Sequence, residues 1–277
     1  MSDVMVPSLT ILPPALRPRV TRTAALVRRN KPVSGRYWLL ELEAPNLART
    51  ALPGQFAMIT PARSDGVDHA LPRPMAIYRV DPATGIVAFA YALIGSGTRA
   101  LATFQSGERL ETVGPLGRPF ELGSSRSALL IGRGVGSCSL TLLAARAIAA
   151  GVVVSAVDSS RDPGGGMAAL MLHEMGIPVL EVADALRTSE PELVEASLIR
   201  LHDAAPPELI AVCGSNRLTA LAARLSQRWG SEVQVSVEAH MACGMGYCHG
   251  CATGARSAEL EAPLVCKDGP VFRLVAD

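Results

Sequence analysis

The sequence has little that would equip it for nucleic acid or for a membrane. Aromatic residues make up 4% of its 277 positions, too few to build a base-stacking platform. Charge is sparse at 18% and nearly cancels, with 26 Lys and Arg against 25 Asp and Glu. No strong field therefore draws the chain toward a polyanion or an anionic lipid surface. Long apolar runs are missing too. The longest, around residues 147–157, contains Gly151 and Ser155 and is far too short to span a bilayer. What the chain does have is a hydrophobic share of 49%, suited to globular cores, and a length that predicts about two domains.

Cysteine is scarce but unevenly placed. Cys138 and Cys213 stand alone, while Cys243, Cys248, Cys251 and Cys266 crowd near the C-terminus. Such skew argues against a dispersed disulfide framework and for a metal site. The spacing Cys243-x4-Cys248-x2-Cys251, with Cys266 further on, is that of a plant-type [2Fe–2S] site held by four thiolates. Three ligands on one tight loop must converge on two irons while the fourth arrives from a separate segment. Gly244, Gly246 and Gly250 let the backbone turn and approach the sulfides closely. Structural zinc fits only at the wide end of its usual spacing, and a Rieske centre needs a second histidine beside His249 that is missing. His240 and Glu238 read as solvated side chains.

The N-terminal stretch carries Pro7, Pro13, Pro14 and Pro18 and no unbroken apolar core. It reads as a loose surface extension over residues 1–18, not a secretory signal, which makes the cytoplasm the expected compartment. Residues 19–123 carry short strand-like runs at 36–43, 55–60, 75–80, 86–93 and 109–113. Turn signals separate them at Pro53-Gly54, Asp65-Gly66, Asp81-Pro82, Thr84-Gly85 and Gly114-Pro115, the texture of an antiparallel barrel. Residues 124–232 alternate apolar strands at 128–131, 152–157, 179–182 and 209–212 with helices at 140–150, 167–175 and 218–229. That alternation indicates a parallel α/β sheet. Residues 233–277 form a Gly- and Cys-rich segment that buries little apolar surface and depends on its cofactor.

Gly132, Gly134 and Gly136 follow the first strand of the α/β half and open a helix, so their backbone N–H groups can face a pyrophosphate. Asp158, at the end of the next strand, is either a ribose ligand or a turn residue. Cys213-Gly214 ends a later strand, at the edge where such sheets bind ligands; a buried structural Cys213 is the alternative. In the barrel half, Arg73 enters an apolar strand between two prolines, as suits a phosphate clamp, and Gly97-Thr98 precedes a short helix candidate.

The order of these motifs resembles the ferredoxin–NADP reductase superfamily. The motifs are Arg73-Pro74-Met75-Ala76, Gly95-Ser96-Gly97-Thr98, Gly114-Pro115-Leu116-Gly117, the nucleotide turn, Cys213-Gly214 and the cysteine loop. Within that superfamily the chain is most similar to the electron-transfer subunits of NAD-dependent dihydroorotate dehydrogenase, which are iron–sulfur flavoproteins. The similarity runs from about Arg19 to the C-terminus and is strongest over residues 241–251 and 265–272.

The resemblance implies FAD on an antiparallel barrel, contacted by Arg73, Pro74, Met75, Ala76, Ala90, Tyr91, Ala92, Gly97 and Thr98. It implies NAD(H) on a parallel-sheet domain at Gly132, Gly134, Gly136, Asp158, Cys213 and Gly214, with Cys213 near the nicotinamide in the catalytic position. It implies a small C-terminal [2Fe–2S] segment, and a catalytic FMN-type dehydrogenase partner in a heterodimer or heterotetramer. Hydride transfer moves two electrons and a [2Fe–2S] cluster takes one, so a flavin must stand between them. Four positions depart from the pattern. Ala76 replaces a Ser or Thr, Arg133 a Gly, and Ser139 and Ser215 each a Pro. They leave open a paralogous reductase subunit serving another oxidoreductase or oxygenase, or a redox-sensing subunit that has lost NADH oxidation.

Overall fold

Residues 9–12, 19–62, 71–253 and 262–275 are described by a computed structural model. The turn expected at Asp65-Gly66 and most of the N-terminal stretch, its four prolines included, lie outside the described residues. The chain forms two compact units and visits each more than once. One unit takes residues 120–237 together with short N- and C-terminal pieces; the other takes residues up to 119 and 238–270.

The second of these units is a curled antiparallel sheet. After β1 (Leu9–Ile11), which belongs elsewhere, come β2 (Thr21–Ser34), β3 (Tyr37–Glu43), β4 (Phe56–Thr60), β5 (Arg73–Ala76), β6 (Arg79–Asp81), β7 (Ile86–Ala92) and β8 (Arg109–Leu116). Helices α1 (Pro45–Thr50) and α2 (Ser96–Ala102) interrupt them. The strand order is β5-β4-β8-β2-β3-β7-β6, so two consecutive strands, β5 and β6, occupy the two edges. The run expected as one strand over 75–80 is therefore broken at Ile77 and Tyr78. Ile77 N–H donates to Gln55 O at 3.0 Å beside β4, and Tyr78 N–H to Ala88 O at 2.9 Å on β7. Both residues are buried, and through them one edge of the curled sheet meets the other. Strand β2 went unread in the sequence because bulges between Val27 and Arg29 and between Pro32 and Ser34 interrupt its alternation.

The other unit holds β9 (Ser127–Arg133), β10 (Val153–Ser160), β11 (Val179–Ala183), β12 (Leu209–Cys213), β13 (Glu232–Ser236) and β14 (Val271–Leu274). Its helices are α3 (Thr141–Ala149), α4 (Ala169–Glu174), α5 (Pro191–His202) and α6 (Asn216–Trp229). The sheet order is β1-β14-β13-β12-β9-β10-β11, parallel from β11 through β13 and antiparallel at β14 and β1. Both faces are covered. Ala128 and Leu130 pack with Leu143 and Ala147 on one side, Leu129 and Ile131 with Leu221 and Leu225 on the other. Burial on both faces is why these strands read as unbroken apolar runs. The order reverses between β9 and β12, which creates a switch-point crevice at the carboxyl ends of the strands.

Two boundaries move from their sequence positions. The N-terminal extension is not loose throughout, because Leu9–Ile11 pairs with β14 and Leu12 is buried beside Phe120 in the core. The C-terminal segment expected from residue 233 is not core-poor at its ends. Val233, Val235, Val271 and Phe272 are all buried in the α/β sheet, and only residues 238–270 join the antiparallel unit.

Candidate functional site

At the switch point of the α/β unit, Gly132 ends the ladder with β12 opposite Cys213. A 3-10 turn over Gly134–Leu140 then leads into α3. A side chain at Gly132 would lie 2.5 Å from Ser137 Cβ, so the turn closes only over a bare backbone. Gly214 holds φ +129 against the backbone of Arg133, placing the β12 end beside the turn. The three nucleotide-loop glycines and Gly214 are thus brought together.

The two side chains expected to serve this crevice are turned away from it. Cys213 is 2% exposed and packs in the core below the sheet edge. Asp158, paired in register with Gly132, is also 2% exposed. Its Oδ2 accepts from Ala169 N–H at 2.8 Å, and its Oδ1 has no hydrogen-bond partner among the described residues. Burial pushes this carboxyl up to about 6 against the opposing Ala169 N–H. Its position at a strand end suggested a ribose ligand; its enclosure under Gly166 and Ala169 removes it from the open edge.

Arg133, which replaces a Gly in the nucleotide turn, is engaged with Ser159 and Asp184. Its Nη2 lies 2.6 Å from Asp184 Oδ2, while Nη1 reaches Asp184 Oδ1 at 3.1 Å and Ser159 Oγ at 2.8 Å. Hydrogen bonds from Arg133 and Ser189 hold the Asp184 carboxyl down at about 2. Sequence offered no signal for Asp184, because its partner lies on a strand two positions away in the sheet. Ser139 and Ser215 are accommodated locally. Ser139 Oγ donates to Gly136 O at 2.9 Å, and Ser215 Oγ accepts from Leu218 N–H at 3.4 Å as the N-cap of α6.

In the antiparallel unit, the guanidinium of Arg73 lies directly over Gly97. A Cβ at Gly97 would come within 2.2 Å of both Nε and Nη2. Arg73 Nη1 donates to Leu71 O at 2.7 Å, which aims the fork across the start of α2. Thr98 does not project a free hydroxyl. Its Oγ1 accepts from the N–H groups of Ile94 and Gly95, both at 3.1 Å, and donates to Gly95 O at 3.1 Å, so its bonding capacity is spent on the turn. Tyr91 is likewise structural. Buried between strands, it donates to Asn30 Oδ1 at 2.8 Å, and Asn30 donates to Leu101 O and Phe104 O at 2.8 and 3.1 Å. That chain of bonds fastens the end of α2 to the sheet. Ala90 and Ala92 are buried on β7, while Pro74 and Ala76 are half-buried beside buried Met75 on β5.

The cysteine loop belongs to this same unit. Gly244 has φ +69, and a Cβ there would lie 2.5 Å from Met58 Cγ and 3.3 Å from Leu116 Cδ1. The loop is therefore seated on β4 and β8, and Met58 is the register partner of Pro74. Sequence gave no reason to single out Met58 or Leu116. Within the loop the thiols fall into two pairs. Cys251 and Cys266 are 3.3 Å apart, and the N–H of Cys248 points at Cys243 Sγ at 3.4 Å. More backbone donors converge on the sulfurs, from Met245 to Cys243 at 3.4 Å, from Gly246 to Cys266 at 3.1 Å and from Cys266 to Cys251 at 3.4 Å.

Burial raises the Cys243 thiol, but the N–H groups of Cys248 and Met245 outweigh it and bring it down to about 6. None of the described cysteines forms a disulfide. Among the described residues no three His, Cys, Asp or Glu side chains converge on a single metal ion. Two thiol pairs are instead what a binuclear cluster takes, two ligands to each iron, with N–H donors to the sulfurs that tune its potential.

Comparisons with known proteins agree with this geometry. Residues 238–276 match the family described as the iron–sulfur cluster binding domain of dihydroorotate dehydrogenase B. The electron transfer subunit of dihydroorotate dehydrogenase B (NAD(+)) from Bacillus velezensis is 30% identical over 251 residues, 89% of this chain and 95% of the relative. Its counterpart from Listeria monocytogenes is 29% identical over 225 residues, 80% and 85% of the two chains. Among solved structures, an NADH-dependent reduced ferredoxin–NADP oxidoreductase superposes with a TM-score of 0.75 at 21% identity, covering 91% of this chain and 88% of its own. Phthalate dioxygenase reductase gives 0.61 at 14% identity, covering 93% and 96%. At these identities the structural likenesses establish the fold alone.

Proposed function

The chain belongs to the family of dihydroorotate dehydrogenase B (NAD(+)) electron transfer subunits, and from that premise we propose that it carries electrons between NAD(H) and a partner dehydrogenase. It does so with bound FAD and a [2Fe–2S] cluster, and the partner is a catalytic subunit of the FMN type, joined in a heterodimer or heterotetramer. Bound together, the flavin and the cluster supply the conversion between a two-electron hydride and single electrons.

The chain's own residues have separable tasks in this reading. Arg73 offers a planar fork to the flavin pyrophosphate, and Gly97 leaves the space that fork occupies. Pro74, Met75, Ala76, Ala90 and Ala92 line the flavin, while Tyr91 and Thr98 fix α2 and its leading turn. Gly132, Gly134, Gly136 and Gly214 give the nicotinamide dinucleotide a backbone-only floor at the switch point. Cys243, Cys248, Cys251 and Cys266 hold the irons. The cytoplasm is the compartment this reading implies, supported by thiols kept out of disulfides; no helix among the described residues is long and apolar enough to cross a membrane.

One observation carries the reading. The cysteine loop is seated on Met58, and Met58 faces Pro74 of the flavin segment across a single strand ladder. A cluster held by the loop and a flavin held by the Arg73–Ala76 segment would then lie against neighbouring strands of one sheet, which favours one-electron exchange between them. The departures lend a redox sensor that has lost NADH oxidation no support of their own, because three of the four, Arg133, Ser139 and Ser215, are absorbed by local hydrogen bonds. The test is Cys266→Ser. The variant should lose electron delivery to the partner and retain NADH-dependent dye reduction by the flavin. Loss of both activities with FAD still bound would refute the order of carriers, and a purified wild type holding iron and sulfide but no flavin would refute the flavin assignment.

A further inference from the structure

A carboxyl lies buried beside the strand that feeds the glycine turn. Asp158 is in register with Gly132 on the adjoining strand, so their Cα atoms stand about 4.8 Å apart. An ionised carboxylate has about four acceptor sites, and this one meets a single close donor, Ala169 N–H at 2.8 Å on Oδ2. Oδ1 is buried with no hydrogen-bond partner among the described residues. On the Oδ2 side Gly166 is pressed so close that a Cβ there would lie 2.1 Å from the oxygen, which closes that side.

The groups around it supply no counter-charge. Arg133 of β9 is spent on Asp184 and Ser159. Glu181, in register with Asp158 on β11, carries the same sign and is bound to His173 of α4 at 3.0 Å. Cys138, in the turn itself, is buried, and burial followed by the influence of Asp158 and Cys213 pushes its thiol well above the ordinary range. Cys213 of β12 is buried as well, and Arg161 and Asp162 on the loop after β10 are exposed. Ser137 gives its own proton to Gly134 O at 2.7 Å. A carboxyl so placed is stabilised by keeping its proton, and burial pushes it up to about 6.

A dinucleotide brings two more negative charges to the same place. Its pyrophosphate faces the N–H groups of the turn, across protein interior that screens charge far less than water does. We propose that Asp158 is a positioning residue for the nucleotide: the pyrophosphate is held tightly at the glycine turn only over the neutral carboxyl, so dinucleotide binding takes up a proton. The inference rests on the reading that this crevice binds a nicotinamide dinucleotide. Asp158 touches no part of the ligand and acts from within the sheet, by the potential it sets at the turn. The proton comes from solvent, and the unpartnered Oδ1 is where it sits. The ligand raises the carboxyl's titration further, so affinity grows as pH falls toward 6 and declines as the free carboxyl ionises above it.

The test uses the oxidised holoprotein and ADP-ribose, which keeps the ionised pyrophosphate and carries no nicotinamide to react. Calorimetric titration in two buffers of different ionisation enthalpy counts the protons taken up. A ligand that moves the carboxyl's titration up by about one pH unit gives wild type an uptake of about 0.4 proton per site at pH 7. Its affinity then falls about fivefold between pH 6 and pH 8. Asp158→Asn keeps the shape of the neutral carboxyl and should bind with no uptake and with equal affinity at both pH values. Asp158→Ser, which removes the amide as well, should show the same loss of uptake. His173→Gln, on the far side of Glu181, should leave the uptake intact. Wild type that binds ADP-ribose with less than half that uptake, and with affinities within about twofold at the two pH values, overturns the proposal and leaves the nucleotide site standing. Uptake that survives in either Asp158 variant overturns it too, as does uptake lost in His173→Gln. Wild type that neither binds ADP-ribose nor oxidises NADH anywhere in this range overturns the nucleotide site, and the proton link with it.

Discussion

Gly97→Ala separates a binding role for Arg73 from a structural one more cleanly than removing the arginine does. The new methyl would lie 2.2 Å from Nε and Nη2 of Arg73 and 2.4 Å from its Cζ. Ordinary contact needs more than 3 Å, so the guanidinium must retreat by about 1 Å or more. The obstacle is the far end of a flexible side chain, and its displacement costs the fold little. Gly97 lies within α2, where alanine is favoured over glycine by about 1 kcal/mol. The apoprotein should therefore melt at the wild-type temperature or slightly above it.

Flavin binding should respond in the opposite direction. A hydrogen bond to a charged group is worth about 1.5–3 kcal/mol, so misplacing the fork should weaken FAD about 10- to 150-fold. The assay is calorimetric titration of FAD into apoprotein, with thermal melting of the same samples. Arg73→Ala should weaken FAD similarly, and the double variant should be scarcely worse than either single one, because both remove the same interaction. An unchanged FAD affinity in Gly97→Ala would falsify the clamp. So would a loss of equal size when Gly97→Ala is made on the Arg73→Ala background, since there is then no fork to displace.

Three further outcomes follow from contacts already described. Gly244→Ala forces a left-handed backbone on a residue that disfavours it by about 1–2 kcal/mol and drives a methyl against Met58; iron and sulfide per chain should fall while FAD content holds, and full cluster loading would refute the seating of the loop. Tyr91→Phe leaves Asn30 Oδ1 without its donor and should cost about 1–2 kcal/mol in denaturant unfolding; a loss below about 0.3 kcal/mol would mean that α2 is held by other contacts. Asp158→Asn tests a pH linkage. Burial raises the folded carboxyl from 3.8 to about 6, so the folded state keeps its proton longer than the unfolded one. Stability therefore falls as pH rises through that window, by about 3 kcal/mol in all. The variant should lose this slope and exceed wild type at pH 7.5 by about 1–3 kcal/mol; equal slopes from pH 4 to 7 in the two proteins would refute it.

The sequence was most legible where chemistry needs several residues at fixed spacing. The four cysteines were readable because two irons demand thiolates on a tight loop and one from outside it. The parallel strands were readable because burial on both faces makes them uniformly apolar. Legibility failed where position in the chain does not fix direction in space. Asp158 stands at a strand end, as a ribose ligand would, yet its carboxylate turns inward to Ala169 N–H. Arg133 was legible only as a replacement for Gly in the nucleotide turn, and only the folding of β11 beside β10 brings Asp184 to it. Helix α5 was missed because only Val194 and Leu198 are buried along it, while Leu193 and Leu201 are exposed and no continuous apolar run marks it. Ile77 and Tyr78 could not be seen as a break, since both are apolar and only their backbone partners differ.

The same lesson bears on how the cysteine segment is held. β13 and β14 are antiparallel neighbours, with Val235 opposite Phe272, and such neighbours need only a two-residue turn between them. The chain instead runs from residue 237 to residue 270 before returning, and nearly all of that excursion belongs to the antiparallel unit. Both feet of the excursion are thus buried strands fixed by a sheet, so its loop-closure cost is met by packing that forms without iron. The described part of the excursion has anchors of its own. Val265 N–H donates to Cys251 O at 3.1 Å, Arg118 N–H to Gly269 O at 2.6 Å, and Val265 is fully buried. A segment tethered in this way does not depend on metal for its fold as a zinc finger does. Removing iron by chelation should therefore lower its local protection from amide exchange around residues 243–251 while β13 and β14 stay protected. Loss of protection in those two strands on chelation would show that the cluster, and not the sheet, holds this part of the chain together.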